Sequence, residues 1–203
     1  MTRIKICGLR RSEDAEAVSR AGADLAGVIL SQGFRRSVSM ETAAEIRRTL
    51  HPDIPLCGVF VNETEEYIRP FVEEGVIQDV QLHGHEKNEM IDSLHRRFPA
   101  LTVMKAFQIK DAADLEEAAS SHADMVLLDS GTGTGRTFDW QLIGQFPRPY
   151  FLAGGLNAEN ASEAVGTLHP WGVDTSSGVE TDGVKDAAKI EEFVNKVRTE
   201  EEQ

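Results

Sequence analysis

LAGVILSQGFRRSVSMETAAEIRRTLHPDIPLCGVFV, residues 25–61, reads as one strand–helix–strand unit. LAGVIL (25–30) and LCGVFV (56–61) are short apolar runs of the kind that suit strands buried on both faces. Between them Ser39 and Thr42 fall in the first turn of a helix over 39–50, and Ala43, Ile46 and Leu50 share its inward face. A helix joining two such strands returns the chain to the same end of a sheet, so the strands pair in parallel.

The unit recurs along the chain. Strands are predicted near 3–8, 25–30, 56–61, 79–84, 102–107, 125–130, 150–155 and 172–177, with starts 22 to 31 residues apart. Helices are predicted at 12–22, 39–50, 64–74, 87–98, 111–121, 140–146, 157–168 and 186–200. Ser12 is the expected cap of the first, whose apolar stripe is Ala15, Val18 and Ala21 or Ala23. Eight units without a linker or composition break favour the α/β class and a single-domain (β/α)8 TIM barrel over residues 1–203. An open doubly wound sheet shares the periodicity and would also place its site at the strands' C-terminal ends. With 203 residues against a typical ~250 for such a barrel, the loops must be lean. The acidic tail Thr199–Gln203 reads as a frayed helix end.

The net charge of −13 argues against a nucleic-acid-binding surface. The opening MTRIKICGLRR lacks the apolar core of a signal peptide, and no run approaches the roughly 20 apolar residues of a membrane helix. Two cysteines, Cys7 and Cys57, make no disulfide framework. The expectation is a cytoplasmic protein acting on a small molecule, with no nucleic-acid or membrane partner; oligomeric state is not readable.

The predicted strand ends carry Lys5, Cys7, Gln81, His83, Lys105, Asp129, Gly154, Gly155, Asp174 and Ser176. Lys5 with Cys7, Gln81 with His83, and Asp174 with Ser176 each share a face, as a barrel mouth requires. Lys5, Gln81 and His83 are expected to face the substrate. Cys57, inside LCGVFV, reads as a small buried hydrophobe. Cys7 differs: Gly8 follows at the strand's exit, and the Lys5 cation on the same face would favour the thiolate, the form that acts as a base. Asp129 closes the apolar run MVLL, where desolvation favours a protonated carboxyl able to donate. Strands 1 and 6 of an eight-strand ring lie nearly opposite, so Cys7 and Asp129 could flank a ligand as base and acid.

LAGGLN (152–157) and DTSSGVE (174–180) look like phosphate cradles, with small residues exposing backbone N–H groups in the loops after strands 7 and 8. This gives an acidic protein a local device for an anion. GTGTGRTFDW (131–140) lacks P-loop spacing and reads as a mouth segment anchored by Phe138 and Trp140. Arg35 or Arg36, after strand 2, could pair with a ligand carboxylate. QLHGHE has no established metal-ligand spacing, and no metal is expected.

Taken together, KICG (5–8), GVFVN (58–62), QLHG (81–84), LLDS (127–130), GTGRTFDW (133–140), LAGGLN (152–157), GVDTSSGVE (172–180) and GVKD (183–186) resemble phosphoribosylanthranilate isomerase nearly end to end. The resemblance implies a cofactor-free Amadori rearrangement of N-(5-phosphoribosyl)anthranilate to 1-(2-carboxyphenylamino)-1-deoxyribulose 5-phosphate, in tryptophan biosynthesis. It implies Asp129 as the acid at the furanose oxygen and Cys7 as the base at the sugar C2. It maps the phosphate contacts onto Gly154, Gly155, Ser177 and Gly178, the anthranilate-side arginine onto Arg36, and Asp174 beside the substrate. The chain departs from the family at Phe34, where serine is frequent, and in a short loop between Asp129 and Gly133. A histidine-pathway sister isomerase would carry Asp where Cys7 stands. Indole-glycerol-phosphate synthase uses a lysine acid, which Lys105 could only mimic. A non-catalytic phosphate-binding barrel would have no need of Cys7 and Asp129 together.

Overall fold

The alternating apolar and amphipathic runs form, in the computed structural model, a parallel barrel wrapped by helices; the structure describes residues 1–129, 143 and 146–200. The barrel strands are β1 (Arg3–Cys7), β2 (Leu25–Ile29), β3 (Leu56–Phe60), β4 (Asp79–Leu82), β5 (Thr102–Gln108), β6 (Met125–Asp129), β7 (Tyr150–Ala153) and β8 (Gly172–Thr175). They follow one another in sequence order, and β8 pairs with β1. That last pairing excludes the open sheet and establishes the (β/α)8 barrel. Among the described residues the outer ring holds α1 (Ser12–Ala21), α2 (Met40–Thr49), α3 (Glu65–Glu73), α4 (Asn88–Arg97), α5 (Ala112–Ala119), α6 (Ala161–Leu168) and α7 (Ala187–Glu200). A small hairpin, β9 (Glu180–Thr181) with β10 (Val184–Lys185), follows β8. The expected 131–140 segment with Phe138 and Trp140, most of the 140–146 helix, and the last three residues lie outside the described residues.

Local chemistry sets the element ends. Ser39 caps α2 as expected, its hydroxyl accepting from the Thr42 N–H at 3.2 Å. Ser12 does not cap α1. Arg11 holds that position, and the Asp14 carboxylate accepts from the backbone of Arg10 and Arg11 at 2.9 and 3.2 Å. An acid in the first turn, three residues past the cap position, does the work expected of the serine. The helix expected from 157 begins at Ala161, because the Asn157 side chain accepts from Glu159 and Asn160 and winds the entry into a turn. β4 stops at Leu82, two residues early, since Glu86 takes the Gly84 N–H at 2.8 Å and draws the chain away from the sheet.

Two cores result from the pleat. One lies between strands and helices and includes Ile4, Ile6, Val28, Ile46, Leu82, Val126 and Phe193. The other fills the barrel itself: Leu25, Met104, Ala106, Leu127, Phe151 and Ala153. Phe151 occupies space that Gly172 leaves open; a Cβ there would lie 2.3 Å from its ring. Across from this apolar half, the interior is polar. Lys5, Asp79 and Gln81 are all buried there.

Asp79 shows what that burial costs. Desolvation pushes its carboxyl up to about 6, although a Thr102 hydrogen bond and Lys5 pull the other way. A carboxyl with a raised folded-state pKa binds a proton more tightly than the unfolded chain does. Its stabilising contribution is complete below about 4 and is lost as pH rises to about 6. Asp79→Asn should therefore stabilise the protein at pH 7.5 by roughly 2–3 kcal/mol, and the gain should vanish near pH 4. Urea midpoints for both proteins at the two pH values check this; equal midpoints at pH 7.5 would contradict it.

Candidate active site

The polar half of the barrel opens at the strands' C-terminal ends into a cavity of about 460 Å³. β1 delivers Cys7 to its floor. Cys7 pairs in register with Gly27 of β2, and a Cβ on that glycine would meet the Cys7 sulfur at 2.9 Å. The absence of a side chain there is what seats the thiol. Gly8 then turns the chain at φ +79°, and a Cβ on it would lie within 3 Å of Arg36 and Ser176. The loops after β2 and β8 can thus close over the end of β1.

Cys7, Arg36, Gln81, His83, Asp129 and Asp174 all line this cavity, together with Gly154, Gly155, Ser177 and Gly178. Lys5 does not. It lies beneath the floor with no exposed surface, and its ammonium donates to Asp174 at 2.7 Å. That placement changes the expected balance at the thiol. Burial pushes the Cys7 thiol up, Asp174 adds to this, and Lys5 and Lys185 oppose it without prevailing. The lysine was expected to yield a thiolate, but an ion pair, rather than a lone cation, faces the sulfur.

Opposite, Asp129 ends β6 with about a quarter of its side chain exposed, and its Oδ2 lies 3.8 Å from His83 Nε2. On its other side His83 Nδ1 is 2.7 Å from Gln81 Nε2. Burial lowers the His83 pKa against the pull of Asp129, which favours a neutral ring. With the amide assigned this way, Nδ1 accepts and the ring proton sits on Nε2, facing Asp129.

Arg36 and Arg35 separate clearly. The Arg36 guanidinium reaches the cavity and grips both oxygens of Glu180, at 2.7 and 3.0 Å. Arg35 is more than half exposed and binds Glu180 from outside. Lys185 completes the group, donating to Glu180 at 2.9 Å and to the Ser176 carbonyl at 2.7 Å. Burial alone would raise the Glu180 carboxyl, but hydrogen bonds from Arg36 and Lys185 bring it down to about 2. The sequence reading assigned no role to Glu180 or Lys185. Both lie in quoted motifs, GVDTSSGVE and GVKD, yet only the fold shows that the hairpin carries them back to Arg36. Lys105, by contrast, is a buried staple: it donates to the Gly84 carbonyl at 2.7 Å and to Glu86 at 3.2 Å. That leaves it no freedom to serve as the synthase-type acid.

The two small-residue loops lie against each other. Thr175 Oγ1 donates to the Leu156 carbonyl at 2.6 Å, and a Cβ on Gly178 would fall 1.9 Å from that same oxygen. Gly154 and Gly155 adopt φ +103° and +69°. Ser177–Val179 form a single 3-10 turn. The remaining wall is apolar: Ile29, Phe34, Val59 and Val61. Three sectors therefore adjoin one floor: a glycine cradle, an apolar wall with an arginine, and Cys7 opposite Asp129.

A family model described as N-(5'-phosphoribosyl)anthranilate (PRA) isomerase matches residues 4–196. The chain belongs to this isomerase family. It is 43% identical to N-(5'-phosphoribosyl)anthranilate isomerase of Endomicrobium trichonymphae, over 98% of this chain and all of the relative. Against the same enzyme of Acetivibrio thermocellus the identity is 42%, over 98% and 96% of the two chains. The crystal structure of phosphoribosyl anthranilate isomerase from Thermotoga maritima superposes with a TM-score of 0.91 at 37% identity, covering 98% of this chain and 100% of that one. An isomerase of the family solved in complex with reduced 1-(o-carboxyphenylamino)-1-deoxyribulose 5-phosphate gives 0.88 at 36% identity, with the same coverage. Among the described residues no helix is long and apolar enough to cross a membrane.

The cradle offers a direct test. A Cβ at Gly155 meets open space, so a short acid fits there, and Asp tolerates the left-handed backbone better than most residues. Gly155→Asp should weaken inorganic phosphate binding more than about tenfold, since it sets a carboxylate against the anion. Calorimetric titration reads the effect; unchanged affinity with unchanged circular dichroism would remove phosphate from these loops.

Proposed function

We propose that the chain isomerises N-(5'-phosphoribosyl)anthranilate to 1-(2-carboxyphenylamino)-1-deoxyribulose 5-phosphate, with the cavity described above as its active site. The observation that carries this reading is the placing of Cys7 and Asp129 on one cavity whose other walls match the two ends of that substrate. The glycine loops after β7 and β8 suit the phosphate. Ile29, Phe34, Val59 and Val61 suit the aromatic ring, and Arg36 suits its carboxylate. The solved relative that holds the reduced product analogue supports the same ligand class.

The chemistry then runs between two side chains. Protonated Asp129 gives its proton to the furanose oxygen as the C1–O bond breaks, and the nitrogen lone pair forms the C1=N⁺ iminium. Cys7, as thiolate, takes the proton from C2. The C–H electron pair becomes the C1=C2 bond of an enolamine, which neutralises the iminium. Protonation at C1 and loss of the enol proton give the aminoketone. No redox partner enters, because the aldose carbon is reduced by what the neighbouring carbon loses. The thiol is buried and holds its proton at rest; that proton leaves to water in the open cavity before Cys7 takes the C2 proton, and the iminium formed beside it offsets the cost of the thiolate. His83 stands beside Asp129, its Nε2 3.8 Å from the carboxylate. Glu180 holds the Arg36 guanidinium in place for the anthranilate carboxylate. A thiol that must remain free suits a reducing cytoplasm.

Loss of anthranilate fluorescence on adding freshly made substrate measures turnover. Cys7→Ser should lower kcat by more than about 10³, because a hydroxyl is a far weaker base near neutral pH, with phosphate affinity retained. A rate within about tenfold of wild type, roughly 1.4 kcal/mol of barrier, would rule out Cys7 as the base. Asp129→Asn keeps size and a hydrogen-bonding oxygen but has no proton to give. It should lower kcat by about 10²–10⁴. A near-normal kcat with a small stability loss would instead assign Asp129 to capping the turn after β6.

A further inference from the structure

Asp174 faces the cavity on one side and the buried Lys5 ammonium on the other, and the charge of Lys5 favours the Cys7 thiolate. Lys5 and Asp174 are register partners across the β1–β8 seam, and Cys7 stands one pleat further along the Lys5 face. Three groups therefore share one charge. We propose that Asp174 is a positioning residue that acts on Cys7 through Lys5: its carboxylate draws the ammonium away from the sulfur and so sets how much of the base is ionised. The inference rests on the reading of Cys7 as the catalytic base, and it assigns Asp174 a second task besides any contact with substrate.

The physical case is one of competing partners. A thiolate needs a nearby cation when water is absent. Lys5 is the closest such group, but its 2.7 Å contact with Asp174 makes the pair nearly neutral as seen from the sulfur. The second cation, Lys185 on β10, is likewise matched by Glu180 at 2.9 Å. Cys57 on β3 and Asp79 on β4 face Lys5 from the far side, and Arg36 packs against Gly8. Both lysines that could ionise Cys7 are thus held by carboxylates, and among the described residues Asp174 is the one that pairs with Lys5. Removing its charge should hand Lys5 to Cys7.

The test needs no substrate. In a Cys57→Ala background, iodoacetamide alkylation of Cys7 is followed against pH, with the product located in the tryptic fragment 6–10, or 4–10 where Lys5 is replaced. Asp174→Asn should move the midpoint of that curve to lower pH by about one unit, as expected for loss of a close charge. Lys5→Met should slow alkylation at pH 8 about tenfold relative to wild type. An unchanged or raised midpoint in folded Asp174→Asn would overturn the proposal. Should that variant fail to fold, since it strands a buried cation, Lys5→Met with Asp174→Asn leaves no unpaired charge and carries the test. A return from the slowed Lys5→Met rate to within about threefold of wild type is then the supporting result, because a nearly neutral pair has been removed, and a rate as slow as that of Lys5→Met alone is the opposing one. Turnover separates this idea from the assignment beneath it. If Cys7→Ser remains active, the base assignment falls. If Cys7→Ser is dead and Asp174→Asn leaves alkylation untouched, only the relay falls.

Discussion

The ion pair between Lys5 and Asp174 joins the first strand of the barrel to the last, inside the barrel, with the lysine wholly out of contact with water. Such a pair contributes little net stability, because desolvating two charges offsets most of their attraction; breaking it by removing one partner costs about 3–5 kcal/mol. Its effect is therefore on register. A one-residue slip of β1 against β8 would turn Lys5 away from Asp174 and outward into the apolar layer of Ile4, Ile6 and Val197. The same slip would carry Cys7 off the cavity floor. Closure of the barrel and placement of the Cys7 thiol are one constraint.

From that seam the interior divides by chemistry. β5, β6 and β7 contribute Met104, Ala106, Leu127, Phe151 and Ala153, a packed plug that gives the polar side something rigid to stand against. β1, β4 and β8 contribute Lys5, Asp79, Gln81 and Asp174. A site that needs a buried base cannot be lined only by hydrocarbon, since an unpartnered charge there would simply neutralise itself. Asp79, with its carboxyl pushed up to about 6, shows what happens to an acid in this interior when its partners are too few.

How much of this was legible beforehand follows from which physics is local. Pleat parity is local: it puts Lys5 with Cys7 and Gln81 with His83 before any coordinates exist, and the strands lie within two residues of their expected ends. The Ser39 cap is local too. The Ser12 cap was misread because Asp14, a stronger acceptor, lies two residues on and serves the same backbone. Lys5 does favour the thiolate, but burial of the thiol outweighs it, and a second, smaller opposing charge is non-local. Lys5 lies two positions from Cys7 in sequence, but the carboxylate that claims it lies 169 positions away. Glu180 and Lys185 escaped for the same reason, because the hairpin that returns them to Arg36 has no signature in the spacing of either segment.

The charge of the chain makes the last point. A protein of net charge −13 would repel a ligand with a phosphate at one end and a carboxylate at the other if the charge were felt as a whole. It is not, because salt screens exposed charges beyond about 8–10 Å, leaving the local arrangement in control. At the mouth, Arg35, Arg36 and Lys185 surround one carboxylate, Glu180, whose pKa near 2 keeps it ionised, so this cluster alone is net positive. At the opposite end the proposed phosphate site relies on backbone N–H groups, which carry no net charge and so add nothing to the chain's total. An acidic exterior and the anion site proposed for the interior are compatible because one depends on a sum and the other on geometry within a few ångströms.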